Sequence, residues 1–243
     1  MSLAKQEYWN SIYKDCVITG EKTNSPLVKW ILKFLPILPK GSCIEIGVFP
    51  GNFIEIFGRL GYEISGIDLT PRVIELNDYF KSKGYHVGEF RQEDFLSLNK
   101  SPLFDIVCSF GFIEHFEDYE SMILMHGELL KEKGVLIITT PNFRGKIQYY
   151  LHKWLDNENL LRHNVNSMCP ENWAALLEKN GFDVIESGYL GSFEFGTEIQ
   201  KRNYLQKIVR RIIMRLIPFF QQILPAGNPD YAPYCGIIAR KRC

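Results

Sequence analysis

Residues 42–69 read SCIEIGVFPGNFIEIFGRLGYEISGIDL. A short apolar, β-branched run is broken by Pro50-Gly51, a helix candidate occupies 52–60, Gly61 closes it, and a second apolar run ends at Asp68 and Leu69. Strand, glycine turn, helix and strand make a βαβ unit. Strands that are apolar throughout, rather than alternating, belong to a parallel sheet covered on both faces. Gly47 and Gly51 let the backbone turn sharply and approach a ligand closely. Open α/β sheets bind ligands at this carboxyl end of the strands. Asp68 follows Gly47 by 21 residues, where an acid grips two ribose hydroxyls. A dinucleotide site also wants G-x-G-x-x-G, so that a pyrophosphate rests on bare backbone. Position 49 is Phe and position 52 is Asn, which disfavours a nicotinamide-dependent oxidoreductase and leaves it as a lesser alternative.

The rhythm continues on both sides. Thr70-Pro71 starts a helix to about 83, with Thr70 as its N-cap and Gly84 as its stop. Further strands are expected at 85–90, 104–110, 135–140, 182–190 and 234–240, and helices at 117–131 and 168–180. Upstream, 5–15 and 25–38 read as helices, the second started by Ser25 and Pro26. Two connections, 141–166 and 191–232, are longer than compact domains normally use. The expectation is one domain over 1–243, with N-terminal helices in 1–40 and the two long connections as insertions forming an acceptor-site lid. Their aromatics, Tyr149, Tyr150, Trp154, Phe193 and Phe195, with Tyr189, would wall the pocket.

The 243 residues are 46% hydrophobic and 23% charged, with 28 cations against 28 acids. This composition is that of an ordinary globular protein and excludes a disordered chain, a collagen-like repeat or a rod. A zero net charge gives no global attraction to nucleic acid, so no nucleic-acid partner is expected. Six cysteines, at 16, 43, 108, 169, 235 and 243, form no C-x-x-C pair and read as reduced thiols of a cytoplasmic protein. No stretch reaches the length of a membrane span, and no signal-peptide core precedes residue 10.

Three later stretches decide which cofactor the turn serves. Glu93-Asp94-Phe95 follows the third strand, FDIVCSFGFIEHFED spans 104–118, and ELLKEKGVLIITTPN spans 128–142. With the first loop and Asp68, these resemble the class I S-adenosylmethionine-dependent methyltransferases over about 40–190 and again at 233–240. The resemblance implies a Rossmann-like, doubly wound seven-stranded sheet of order 3-2-1-4-5-7-6, its last strand antiparallel, with helices on both faces. It implies S-adenosylmethionine as cofactor. Glu45, Gly47 and Gly51 would hold its methionine part, Asp68 and Leu69 the ribose, Asp94 and Phe95 the adenine, and Phe110, Gly111 and Phe112 the methionine end. Phe49 departs from the family's usual glycine and is expected to narrow the loop. The implied activity is methyl transfer to a small molecule, with a non-catalytic cofactor-binding protein as the second reading.

A hydroxyl or amine acceptor would profit from a general base. His115, in a Glu114-His115 pair at the end of the fourth strand, and His163 are the candidates; Glu114-His115 has a structural alternative, capping the helix at 117–131 or fixing the loop. No two of the five histidines have helical metal spacing, so no metal is expected. Finally, 199–217 reads IQKRNYLQKIVRRIIMRLI, with six cations, no acid and apolar residues at helical spacing up to Pro218, which should end the helix. The rest of the chain holds 22 cations against 28 acids. Such a segment packs on its own domain, joins a homodimer, touches RNA, or lies peripherally on an anionic membrane.

Overall fold

A computed structural model describes residues 2–19, 25–35, 40–98, 103–198 and 200–243. Seven strands form one sheet of order β3-β2-β1-β4-β5-β7-β6. They are β1 (Ser42–Ile46), β2 (Glu63–Asp68), β3 (Val87–Gln92), β4 (Phe104–Phe110), β5 (Leu130–Pro141), β6 (Phe182–Leu190) and β7 (Tyr234–Lys241). The first five pair in parallel, and β7 runs antiparallel to both β5 and β6. The Rossmann-like order and the antiparallel last strand are as expected.

Continuous apolar strands bury both of their faces. On one face, α2 (Pro26–Phe34), α3 (Ile54–Arg59) and α4 (Glu75–Ser82) pack Ile31, Phe57 and Phe80 against Cys43, Ile64 and Ile106. On the other, α5 (Tyr119–Glu128) and α8 (Pro170–Lys179) pack Ile123, Trp173 and Leu177 against Ile44, Val107 and Ile138. The remaining helices are α1 (Gln6–Tyr13), α6 (Lys146–Leu155), α7 (Asn157–Leu160) and α9 (Tyr204–Ile223). Ser25 caps α2 as read, accepting from the Val28 amide at 3.3 Å; the end of that expected helix and residue 199 lie outside the described residues.

Three local expectations are corrected. The Thr70 side chain caps nothing; its amide instead donates to Asp68 Oδ1 at 2.9 Å, and a 3-10 turn, Pro71–Ile74, precedes α4. Helix α5 is capped by Asp118, which accepts from the Ser121 amide at 3.1 Å, so Glu114-His115 is free of that duty. Pro218 does not end α9, which runs on to Ile223. A proline removes one amide donor, but Phe220 continues the apolar spacing and meets Phe193 ring to ring at 5.3 Å. Tertiary packing outweighs the lost bond.

The insertions build a small third core. Leu155, Phe193, Phe195 and Tyr231 are buried together under Val209, Ile213, Ile217 and Phe220 of α9. One residue staples this unit: Asp156, fully buried, accepts from Gln200 Nε2 (2.7 Å), Arg202 Nη2 (3.2 Å) and the Glu198 amide (3.1 Å) on Oδ1. Its Oδ2 meets Asn159 Nδ2 (2.9 Å) and His152 Nδ1 (3.0 Å).

Candidate active site

The carboxyl ends of β1, β2 and β4 open into a cleft of about 660 Å³. Its floor is the first loop. Gly47 has φ +70°, and a Cβ there would come within 2.8 Å of Phe112 Cδ2, so conformation and space both require glycine. Asp68 sits at the end of β2 with Oδ1 on the Thr70 amide and Oδ2 on the Phe49 amide at 3.2 Å. Burial raises its pKa to about 6 against the pull of these backbone donors. Asp94 Oδ1 accepts from the Leu96 amide at 3.0 Å, and Phe95 stands edge-on to Phe112 at 5.5 Å.

Of the residues assigned from sequence, Gly47, Asp68, Leu69, Asp94, Phe95, Gly111, Phe112 and His115 line the cleft. Glu45, Gly51 and Phe110 shape it from behind. Buried Glu45 accepts from the Ile54 amide, its pKa pushed up by burial. Gly51 nestles against Leu76 and Phe80, and Phe110 stacks on Phe53 at 4.6 Å. Phe49 does not narrow the loop as expected. Its buried ring packs edge-on against Tyr13 at 5.0 Å, with the Arg72 guanidinium over its face.

The roof is the part that sequence reasoning missed. Residues 2–13 cross the cleft, contributing Ala4, Gln6, Trp9 and Tyr13 to its wall. Ser2 bridges Phe116 in an antiparallel pair, and the Leu3 amide donates to the His115 carbonyl at 2.7 Å. At the far end of α1, Arg72 Nη1 donates to the carbonyls of Tyr13, Lys14 and Cys16. Near its start, Tyr8 donates to Glu198, which also takes Arg162, whose guanidinium lies 4.0 Å over the Tyr8 ring. The only forewarning was the density of aromatics in 8–13.

The expected aromatic wall does not form from the insertions. Phe193 and Phe195 are 5% and 1% exposed within the third core, while Tyr150 and Trp154 point outward. Helical spacing does not distinguish a core aromatic from a pocket aromatic.

His115 and His163 come together, their ring centroids 4.6 Å apart. His115 Nδ1 donates to the Arg162 carbonyl at 3.0 Å and His163 Nδ1 to that of Asn159 at 2.7 Å, the arrangement expected of neutral rings beside carbonyls. Nε2 is left as the acceptor on each. Burial lowers their pKa values to about 4 and about 3. His163 does not line the cleft; it backs His115 and packs on Phe143 at 4.8 Å. Glu114 is fully buried, with Oε2 lacking a partner among the described residues and its pKa raised by burial to about 8. Glu114, His115 and His163 each place a ligand-type atom within 4.8 Å of the others. The sequence search by helical spacing could not see this cluster, because the fold brings His163 back to Glu114 and His115 from 49 and 48 residues away.

A family model described as a methyltransferase domain matches residues 20–187. The chain belongs to that family, with the sheet order and cofactor cleft of its class I, S-adenosylmethionine-dependent members. It is similar to the ubiquinone biosynthesis O-methyltransferases of Pelagibacter ubique (27% identical over 119 residues, 46% of this chain and 50% of the relative) and Bartonella quintana (26% over 152 residues, 59% and 60%). The chain spans about half to three-fifths of these curated relatives. Among solved structures, the MccD protein superimposes with a TM-score of 0.60 at 17% identity, over 88% of this chain and 95% of that one. The N-methyltransferase NodS of Bradyrhizobium japonicum WM9, solved with S-adenosyl-L-homocysteine, gives 0.55 at 15% identity, over 99% and 94%. These likenesses establish the fold.

Proposed function

We propose that the protein moves the methyl group of S-adenosylmethionine to a hydroxyl of a small, lipophilic acceptor, working at an anionic membrane surface. The observation that carries it is the free Nε2 of His115 on the wall of a cleft whose other end holds Asp68 and Asp94. Asp68 accepts the ribose hydroxyls, Asp94 meets the adenine, and the loop around Gly47 holds the methionine part. The cofactor supplies an electrophilic methyl on a sulfonium. With the acceptor held in line with that methyl, His115 Nε2 would take the proton of its hydroxyl. Positioning of this kind is worth about 7–11 kcal/mol. Trp9, Phe112 and Phe116 give the acceptor end apolar walls, and 141–166 closes it from behind through Arg162 and His163. The names of the curated relatives favour oxygen as the attacked atom.

No metal enters this scheme. Burial keeps the Glu114 carboxyl protonated up to about pH 8, so beside two neutral imidazoles it carries no charge that would call for a cation. Labelled methyl transfer to a panel of apolar phenols, with amines as controls, is expected to favour the phenols and to be unchanged by a chelator. Loss of turnover on chelation, restored by a divalent ion, would assign Glu114, His115 and His163 to a metal instead.

The membrane part rests on α9. One side packs on the third core, while Leu205, Phe219 and Ile223 remain 58%, 55% and 57% exposed beside Ile212 and Leu216. Among the described residues no helix is long and apolar enough to cross a membrane. A bare apolar stripe flanked by the exposed Arg215 suits the interface, where a Lys or Arg near the surface contributes about 1 kcal/mol on anionic lipid. Sedimentation with anionic vesicles is expected to capture the parent, and an Ile212→Ser, Leu216→Ser variant far less; neutral vesicles should capture neither. Equal capture of parent and variant would assign the stripe to a protein partner or a second copy.

A further inference from the structure

A second cleft, of about 340 Å³, lies where the chain enters α9, lined by Gln200, Arg202, Lys207, Arg210, Arg211 and Met214. It shares no lining residue with the cofactor cleft. Four of its six lining residues are cations, and the acid nearest in the hydrogen-bond network is already committed. Asp156 spends its charge on the guanidinium of Arg202, whose Nε also donates to the Leu155 carbonyl at 2.7 Å. Arg210 Nε donates to Thr197 Oγ1 at 2.6 Å. That neutral acceptor fixes the guanidinium plane without neutralising it and leaves the two terminal nitrogens available. Lys207 and Arg211 have no carboxylate partner among the described residues.

Lys207, Arg210 and Arg211 stand at i, i+3 and i+4, the spacing at which helical side chains are neighbours and like charges destabilise. No described carboxylate pairs with these three to relieve the repulsion; an anion in the cleft would. The built parts, a guanidinium oriented by a threonine beside an ammonium and a second guanidinium, match the forked donors that phosphate oxygens take.

Direction decides which phosphate. Each helical residue advances about 100°. Taken together, Lys207, Arg210 and Arg211 therefore centre roughly opposite Leu205, Ile212 and Leu216, the bare stripe of the same helix, with Lys207 the most nearly opposite and Arg211 to the side. A bilayer under the stripe leaves the cleft facing away from lipid. We infer that this cleft is a binding site for the phosphate group of a soluble small molecule, a phosphomonoester or diphosphate, and is separate from any headgroup contact. The site is independent of which acceptor is methylated.

Calorimetry of the full chain with inorganic pyrophosphate is expected to show one site. A Lys207→Gln, Arg211→Gln variant should bind at least tenfold more weakly. A Lys201→Gln, Arg215→Gln variant, which removes the same charge outside the cleft, should match the parent. Circular dichroism and unchanged S-adenosylmethionine affinity check that both variants fold. Saturating vesicles of phosphatidylcholine with phosphatidic acid should leave pyrophosphate affinity unaltered. Three results would overturn the assignment: no pyrophosphate binding below millimolar concentration, equal loss in both variants, which means diffuse charge alone, or displacement of pyrophosphate by the vesicles, which means a headgroup site.

Discussion

Replacing Asp68 with alanine is expected to weaken S-adenosylmethionine binding by well over tenfold while the fold survives. A carboxylate accepting from hydroxyls makes charge-assisted bonds, worth about 1.5–3 kcal/mol each, and alanine removes both acceptors. The affinity should also depend on pH. Burial raises the Asp68 pKa to about 6, so the carboxylate that serves the ribose is lost as pH falls through 6. Calorimetry from pH 5 to 8 should show affinity rising across that window in the parent and flat in the variant. The empty protein obeys the opposite sign. A carboxyl whose pKa rises on folding contributes stability that is full below about pH 4 and lost as pH climbs past 6. At neutral pH the unliganded fold therefore bears a cost for Asp68, and the variant's thermal midpoint is expected to hold. Equal cofactor affinity in variant and parent, both folded, would remove Asp68 from the ribose.

Substituting His115 by alanine is expected to lower turnover by about 10²–10⁴-fold, the usual contribution of a positioned base, with cofactor affinity changed less than threefold. The ring touches the cleft but not the Asp68 end, and its Nδ1 is anchored on the Arg162 carbonyl. Because burial holds its pKa near 4, the imidazole is neutral across the working range, and at saturating cofactor the parent's pH–rate profile should show no inflection near 6.5. Glu114 titrates higher, at about 8, so a limb there belongs to the carboxyl behind the ring. Turnover within threefold of the parent would strip His115 of the base role and leave positioning alone.

The sheet was legible because each strand carries its own signal. FDIVCSF and FDVIESGYL span β4 and β6 residue for residue, and Asp68 ends β2 where the spacing from Gly47 placed it. Turn glycines and an acid in register are local facts, and they located the cleft proposed to take the cofactor. What failed was non-local. Residues 5–15 read as an ordinary helix, and nothing in their spacing says that this segment folds back over β4. Phe193 and Phe195 were assigned to a pocket because they are aromatic and lie in a long connection; their partners, Leu155 and Val209, are distant in sequence. Pro218 has a strong local meaning, overridden by Phe220 packing beyond it. The Glu114, His115 and His163 cluster needed the fold before it could be seen.

The roof of the cofactor cleft is tied down at both ends, by Arg72 on the carbonyls after α1 and by Glu198 on Tyr8. On the proposed function, exchange of the cofactor beneath this roof would part at least one of these fastenings. The lifting of the strap, a mechanical event away from the sulfur, would then set a ceiling on turnover, and the cofactor would enter before the acceptor and leave after the product.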